Sequence, residues 1–164
     1  MVETGDPAPP FTLPSTAGGE VSLADELRSG PVILVTNRGY WCSYCAEQLQ
    51  TYSHHAYDLW RNHGTTVLPI LGDPVPRLVE MRDRFDLRLQ LLADTDLEVV
   101  DTYARTERTD RHGEIPVAAT VIIDGDGTIR YRQVASDPSD RTYANYARHF
   151  VTNGMAAPYP EHPA

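Results

Sequence analysis

Residues 31–49 read "PVILVTNRGYWCSYCAEQL" and contain both cysteines of the 164-residue chain, three positions apart. The first half, "PVILVTN", is a continuous apolar and β-branched run, the pattern of a strand covered on both faces. From Cys42 to His63 no glycine or proline interrupts the chain. Cys45, Leu49, Tyr52, Ala56, Leu59 and Trp60 recur there at the spacing that lines one face of a helix. Gly64 ends this helix and "TTVLPIL" supplies the next apolar strand, so the stretch begins a βαβ unit.

On the N-terminal side, "PAPPFTLPSTAGGEVSL" reads as a β-hairpin turning at Gly18 and Gly19, with prolines that restrict it to an edge. On the C-terminal side, "VPRLVEMRDRF" places Leu78, Met81 and Phe85 on one helical face. A short strand "LQLLAD" and a short helix "DLEVVDTYA", capped by Asp96, come next. The buried strand "VAATVIID" then pairs through a "DGDG" turn with the alternating, half-exposed "TIRYRQV". A last helix is expected from about Pro138 to Val151, with Tyr143, Tyr146, Ala147 and Phe150 inward. The resulting order is hairpin, β, α, β, α, β, α, β, β, α. It predicts an α/β chain with a central mixed sheet and helices on both faces. The length suits one domain, expected over 1–154, with a frayed tail over 155–164.

The formal net charge is −9, and all 14 basic residues are arginine. A negative field and scattered arginines argue against nucleic acid as a partner. The lysine-free, acidic composition suits either a high-salt cytoplasm or a high-GC genome. No basic and apolar leader opens the chain, and "VILV" is too short for a bilayer that needs roughly 20 residues. A cytoplasmic protein without membrane association is therefore expected. In a reducing compartment, a close cysteine pair points to catalysis or metal binding more than to a structural staple.

Cys42 and Cys45 fall where the strand gives way to the helix, one at its first turn and one a turn along. Free amide donors and the helix dipole favour an anion there, which lowers a thiol pKa from about 8.5 toward roughly 3.5 to 7.5. Such a thiolate attacks a peroxide or a disulfide, and its neighbour resolves the product. The cysteines carry this chemistry themselves, so no cofactor is expected. Zinc would need more ligands, and His54, His55 and His63 do not fold back onto Cys45 in tetrahedral fashion, so no metal is expected either. "DGDGTI" is a turn and not a calcium loop, because its twelfth position is Ala135. Arg38 is a candidate to hold the thiolate or a peroxide oxygen, and Trp41 to shield the pair from water.

From about residue 3 to 151 the chain resembles the AhpC/TSA (peroxiredoxin-like) group of the thioredoxin fold. "GDPAPPFTLPSTAGGEVSLADEL", "LADTDLEVVDTYA" and "ATVIIDGDGTIRYRQV" are similar to its segments in the same order, and "RGYWCSYCAEQL" is similar to an R-G-x-W-C-x-x-C variant of the redox turn. The resemblance implies a hydroperoxide or disulfide substrate, a thioredoxin-like or other dithiol electron donor, and a homodimer as one assembly. Laid on the peroxiredoxin pattern P-x-x-x-T-x-x-C, Cys45 matches the attacking cysteine, while Arg38 replaces the proline and Cys42 the threonine. The arginine expected shortly before "TVIID" is missing. Laid on thioredoxins, Cys42 is the attacker, and the proline that supports a docked substrate is either shifted to Pro116 or replaced by Ala118. Two readings stand: a thiol peroxidase, and a disulfide reductase with Trp41, Pro116 and Ala118 beside the substrate.

Overall fold

The computed structural model describes residues 1–155, so all but the first residue of the expected tail lies outside the described residues. The elements run β1 (Thr12–Pro14), β2 (Glu20–Ser22), α1 (Leu23–Leu27), β3 (Val32–Thr36), α2 (Ser43–His63), β4 (Thr66–Leu71), α3 (Val75–Arg84), β5 (Leu92–Ala93), α4 (Glu98–Tyr103), β6 (Thr106–Thr109), β7 (Gly113–Pro116), β8 (Ala119–Ile123), β9 (Ile129–Val134) and α5 (Ala144–Thr152). A five-stranded sheet has the order β5-β4-β3-β8-β9. Strand β3 is parallel to β4 and antiparallel to β8, and β9 closes the far edge antiparallel to β8. This is the expected mixed sheet, and β1 and β2 form the expected N-terminal hairpin.

Every residue of β3 is buried, as its unbroken apolar run requires. Ile33 and Val35 join a core with Leu49, Leu78 and Phe150, from α2, α3 and α5. Val32 and Leu34 face the other way and pack with Phe11, Leu13 and Tyr103, from the N-terminal segment and α4. The period of two along one strand thus holds helices on both faces of the sheet. Pro69 sits inside β4 without penalty. Leu71, two residues on, accepts from Asp94 on the β5 side, so the N–H that Pro69 lacks would also point there, beyond the reach of the two-residue β5.

Three segments differ from the sequence expectation. Trp60 is 56% exposed, because it lies one residue, about 100°, beyond the buried Leu59 on the helix surface. Helix α5 begins at Ala144 and not near Pro138. Upstream, the Asp140 carboxylate accepts from the Ser136 N–H and the Asp137 carboxylate from the Ser139 N–H, which gives this backbone partners outside a helix. The third difference is an additional hairpin, β6–β7, whose polar strands pair only with each other.

The ends of β3 and α2 are locked by two glycines in contact. Gly64 closes α2 in the left-handed conformation at φ 60°, and a Cβ there would lie 2.7 Å from the Ser29 carbonyl oxygen. A Cβ on Gly30 would lie 2.4 Å from the Gly64 carbonyl oxygen. Gly64→Ala should therefore cost more than the roughly 1 to 2 kcal/mol of the left-handed conformation alone. Thermal unfolding checks this: a midpoint at least about 2 to 4 °C lower is expected, and an unchanged midpoint would contradict the close approach.

Candidate redox site

Strand β3 is pinned at its exit. The Thr36 hydroxyl donates to the Val117 carbonyl (2.9 Å), and the Asn37 N–H donates to the Ile70 carbonyl (3.0 Å). The turn that follows is fixed by the Tyr40 N–H on the Asp73 carboxylate (3.0 Å) and the Cys42 N–H on the Gly39 carbonyl (3.1 Å). Gly39 leaves room for Trp41, since a Cβ there would lie 2.5 Å from the indole nitrogen. Cys42 is the N-cap of α2, in extended conformation, and its sulfur accepts the Cys45 N–H at 3.3 Å. A sulfur thus occupies the position where an oxygen of Ser, Thr or Asp commonly satisfies the free donors of a helix.

Both cysteines are free and buried, Cys42 at 4% and Cys45 at 0% exposure. The Cys45 sulfur accepts the Arg38 backbone N–H (3.4 Å). One guanidinium nitrogen of Arg141, Nη2, donates to both sulfurs, at 3.4 Å from Cys45 and 3.7 Å from Cys42. Its Nη1 donates to Asn37 Oδ1 (2.6 Å) and Gln48 Oε1 (3.1 Å), and its Nε to the Pro138 carbonyl (2.8 Å). The Cys42 thiol is lowered to about 5, first by the hydrogen bond from the Cys45 thiol. Burial opposes that shift, and the Cys45 N–H, Arg141 and Arg38 reinforce it. Cys45 moves the other way, raised chiefly by burial and then by its bond to Cys42. The shifts run in opposite directions, so Cys42 is the sulfur that ionises first and Cys45 the one that keeps its proton.

Of the remaining candidates from the sequence, only Arg38 has a hydrogen bond to one of the sulfurs. Arg38 lies beside the pair, but its guanidinium is 3.7 Å from Glu107 and 5.0 Å from the Trp41 ring centre, and only its backbone reaches sulfur. Trp41 stacks on His112, at the tip of the β6–β7 hairpin, with centroids 3.7 Å apart and planes 3° from parallel. Pro116 lines a cleft of about 220 Å³ with Trp41, Tyr40 and Asp73, and Ala118 lines a second of about 160 Å³ with Arg105 and Pro138. Arg38 borders both. A larger groove, about 840 Å³, runs past Tyr57, Trp60 and Phe85, and neither cysteine lines any of the three. The histidines of α2 stay apart from the pair, and His63 faces Asp58 (3.8 Å).

Arg141, Asn37 and Gln48 are absent from the sequence reading. Arg141 stands in "SDPSDRTY", where flanking acids suggest a solvated charge. The one available signal is that a guanidinium missing before "TVIID" has to come from elsewhere in the chain.

The family model described as AhpC/TSA matches residues 4–132. A Mycobacterium tuberculosis protein, provisionally named a peroxiredoxin, is 31% identical over 128 residues, 76% of this chain and 80% of that one. The chloroplastic peroxiredoxin Q of Oryza sativa is 26% identical over 130 residues, 79% of this chain and 58% of that one. Among solved structures, the peroxidoxin BcpB of M. tuberculosis superposes with a TM-score of 0.77 at 20% identity, covering 93% of this chain and 96% of that one. The reduced 2-Cys peroxiredoxin of Plasmodium vivax does so with a TM-score of 0.77 at 15% identity and the same two coverages.

The asymmetry of the two thiols is open to measurement. In Cys45→Ser, whose hydroxyl keeps a donor beside Cys42, the rate of alkylation should rise through a midpoint well below the ordinary thiol value of about 8.5. In Cys42→Ser, Cys45 should react only above that value. Coinciding profiles near the ordinary value in both variants would contradict the site as described.

Proposed function

The chain belongs to the AhpC/TSA family, and on that premise we propose that it reduces hydroperoxides through a dithiol–disulfide cycle at Cys42 and Cys45. The observation that carries this reading is one guanidinium nitrogen of Arg141 donating to both sulfurs, at the start of α2 where the Cys45 N–H also donates to the Cys42 sulfur. Cys42 is the attacking thiolate in this scheme. Its sulfur attacks one peroxide oxygen, an S–O bond forms, the O–O bond breaks, and the departing oxygen leaves as alkoxide or hydroxide and takes up a proton. The sulfenic acid on Cys42 is then attacked by Cys45, which gives up its proton as water departs and the S–S bond closes. A dithiol donor restores the pair by thiol–disulfide exchange.

The peroxiredoxin sequence pattern assigns the attack to Cys45, whereas the local chemistry favours Cys42. The N-cap sulfur is the less buried of the two and lies nearest the unpaired amides of the helix. Asn37 keeps a buried Nδ2 donor with no partner among the described residues, on the side chain whose Oδ1 accepts from Arg141, and this donor could serve a peroxide oxygen. The cycle closes within one chain and needs no second copy, so a homodimer would serve stability and not chemistry. A reductase of protein disulfides requires an open edge for an extended substrate. His112 stacks on Trp41, the side chain the reductase reading sets beside its substrate, and so takes up a face such a substrate would use, which favours the peroxidase. No helix among the described residues is long and apolar enough to cross a membrane, and a cytoplasmic dithiol pool suits this cycle.

Stopped-flow turnover with hydrogen peroxide and with an organic hydroperoxide, using a dithiol donor, tests the proposal. Peroxide consumption that Cys42→Ser abolishes is expected, together with an intramolecular Cys42–Cys45 disulfide in non-reduced peptides. Two free thiols after excess peroxide, or a predominantly intermolecular disulfide, would overturn it. Arg38→Ala should slow the reaction less than tenfold, that is by under about 1.4 kcal/mol, because alanine retains the N–H that reaches Cys45. A larger loss in a normally folded variant would show that the Arg38 guanidinium takes part.

A further inference from the structure

Arg141 is 5% exposed, and its hydrogen-bond acceptors other than the two sulfurs are neutral: two side-chain amides and a backbone carbonyl. None of the ion pairs among the described residues includes it. A guanidinium does not lose its proton inside a protein, and a buried charge without a counter-ion is strongly destabilising. Arg38, the other cation near the pair, already has Glu107. The anion that meets Arg141 is therefore the negative charge held by the cysteines themselves.

We propose that Arg141 sets the redox balance of the pair: it stabilises the reduced, anionic form, and closing the Cys42–Cys45 disulfide leaves its guanidinium buried without a counter-ion. The balance of the step shows why. The reduced pair carries one proton and one negative charge. Oxidation removes two electrons and that proton, a hydroperoxide takes the electrons to become an alcohol and hydroxide, and the sulfurs are left neutral. Stabilising the anionic form makes the disulfide easier to reduce and thus a stronger oxidant toward its dithiol donor.

The same loss of charge acts on the backbone that carries Arg141. The adjoining Thr142 carbonyl accepts from both Gln48 and Tyr52, so residues 135–143 are attached to α2 mainly through Arg141 and Thr142. Oxidation removes the negative charge facing Nη2, leaves only neutral disulfide sulfurs as its acceptors, and loosens the first of these attachments.

The inference rests on the cysteine cycle proposed above. Its test is an equilibrium titration of the full chain against a dithiothreitol or glutathione redox buffer, for the wild type, Arg141→Gln and Arg141→Lys. The glutamine variant should be about tenfold harder to reduce, equivalent to a potential about 30 mV lower. Lysine, which keeps the charge but not the planar fork, should fall between the two. A folded Arg141→Gln that titrates with the wild type, or that is easier to reduce, overturns the inference. If that variant does not fold, amide hydrogen exchange of the wild-type protein in both redox states decides. Faster exchange over residues 135–143 in the disulfide form is expected, and equal exchange overturns the inference. Failure of the wild type to form the disulfide at all would refute the cycle and this inference together, whereas a disulfide with a potential indifferent to Arg141 would refute only the latter.

Discussion

A buried guanidinium with no carboxylate partner among the described residues governs this molecule's chemistry. The N-terminus of a 21-residue helix and the Arg141 guanidinium converge on two sulfurs. A helix terminus leaves amide donors unsatisfied, and a buried guanidinium requires an anion. Those demands are met at once by a thiolate on Cys42, with Cys45 as the proton donor that steadies it. The rest of the structure maintains that convergence. Strand β3 is held on both sides as it leaves the sheet, and the glycine contact at the far end of α2 fixes where the helix stops. Asn37 and Gln48 orient the guanidinium from the strand and helix that flank the turn.

Elements with a strong periodic signature were legible in the sequence. The unbroken run "PVILVTN" identified β3, and the long stretch without glycine or proline identified α2, so the position of Cys42 and Cys45 at their junction followed from pattern alone. The less legible parts were segments held by side chains and not by periodicity. "TERT" and "GEIP" contain too few apolar residues to read as strands, yet they pair with each other and bring His112 onto Trp41. The apolar spacing of the last helix starts only at Tyr143, and before it Asp137 and Asp140 occupy the backbone with local bonds until Ala144.

That second segment also explains why half of the site could not be read. Arg38, adjacent in sequence, was the natural candidate to hold an anion, but its guanidinium lies with Glu107 and Trp41. Arg141 is separated from the cysteines by about a hundred residues and reaches them only through the packing of α5 against α2 and the turn before it. Sequence spacing reports what a single element places together. A residue delivered by tertiary packing, in a loop whose composition suggests solvent, has no local signature.

The identity of the attacking sulfur sets sequence register, which favours Cys45, against local chemistry, which favours Cys42. Trapping the sulfenic acid with a carbon nucleophile such as dimedone in Cys45→Ser, followed by peptide mass spectrometry, addresses it directly. Rapid, stoichiometric labelling of Cys42 at one equivalent of hydrogen peroxide is expected. An unlabelled Cys42 there, with prompt labelling of Cys45 in Cys42→Ser, would contradict it.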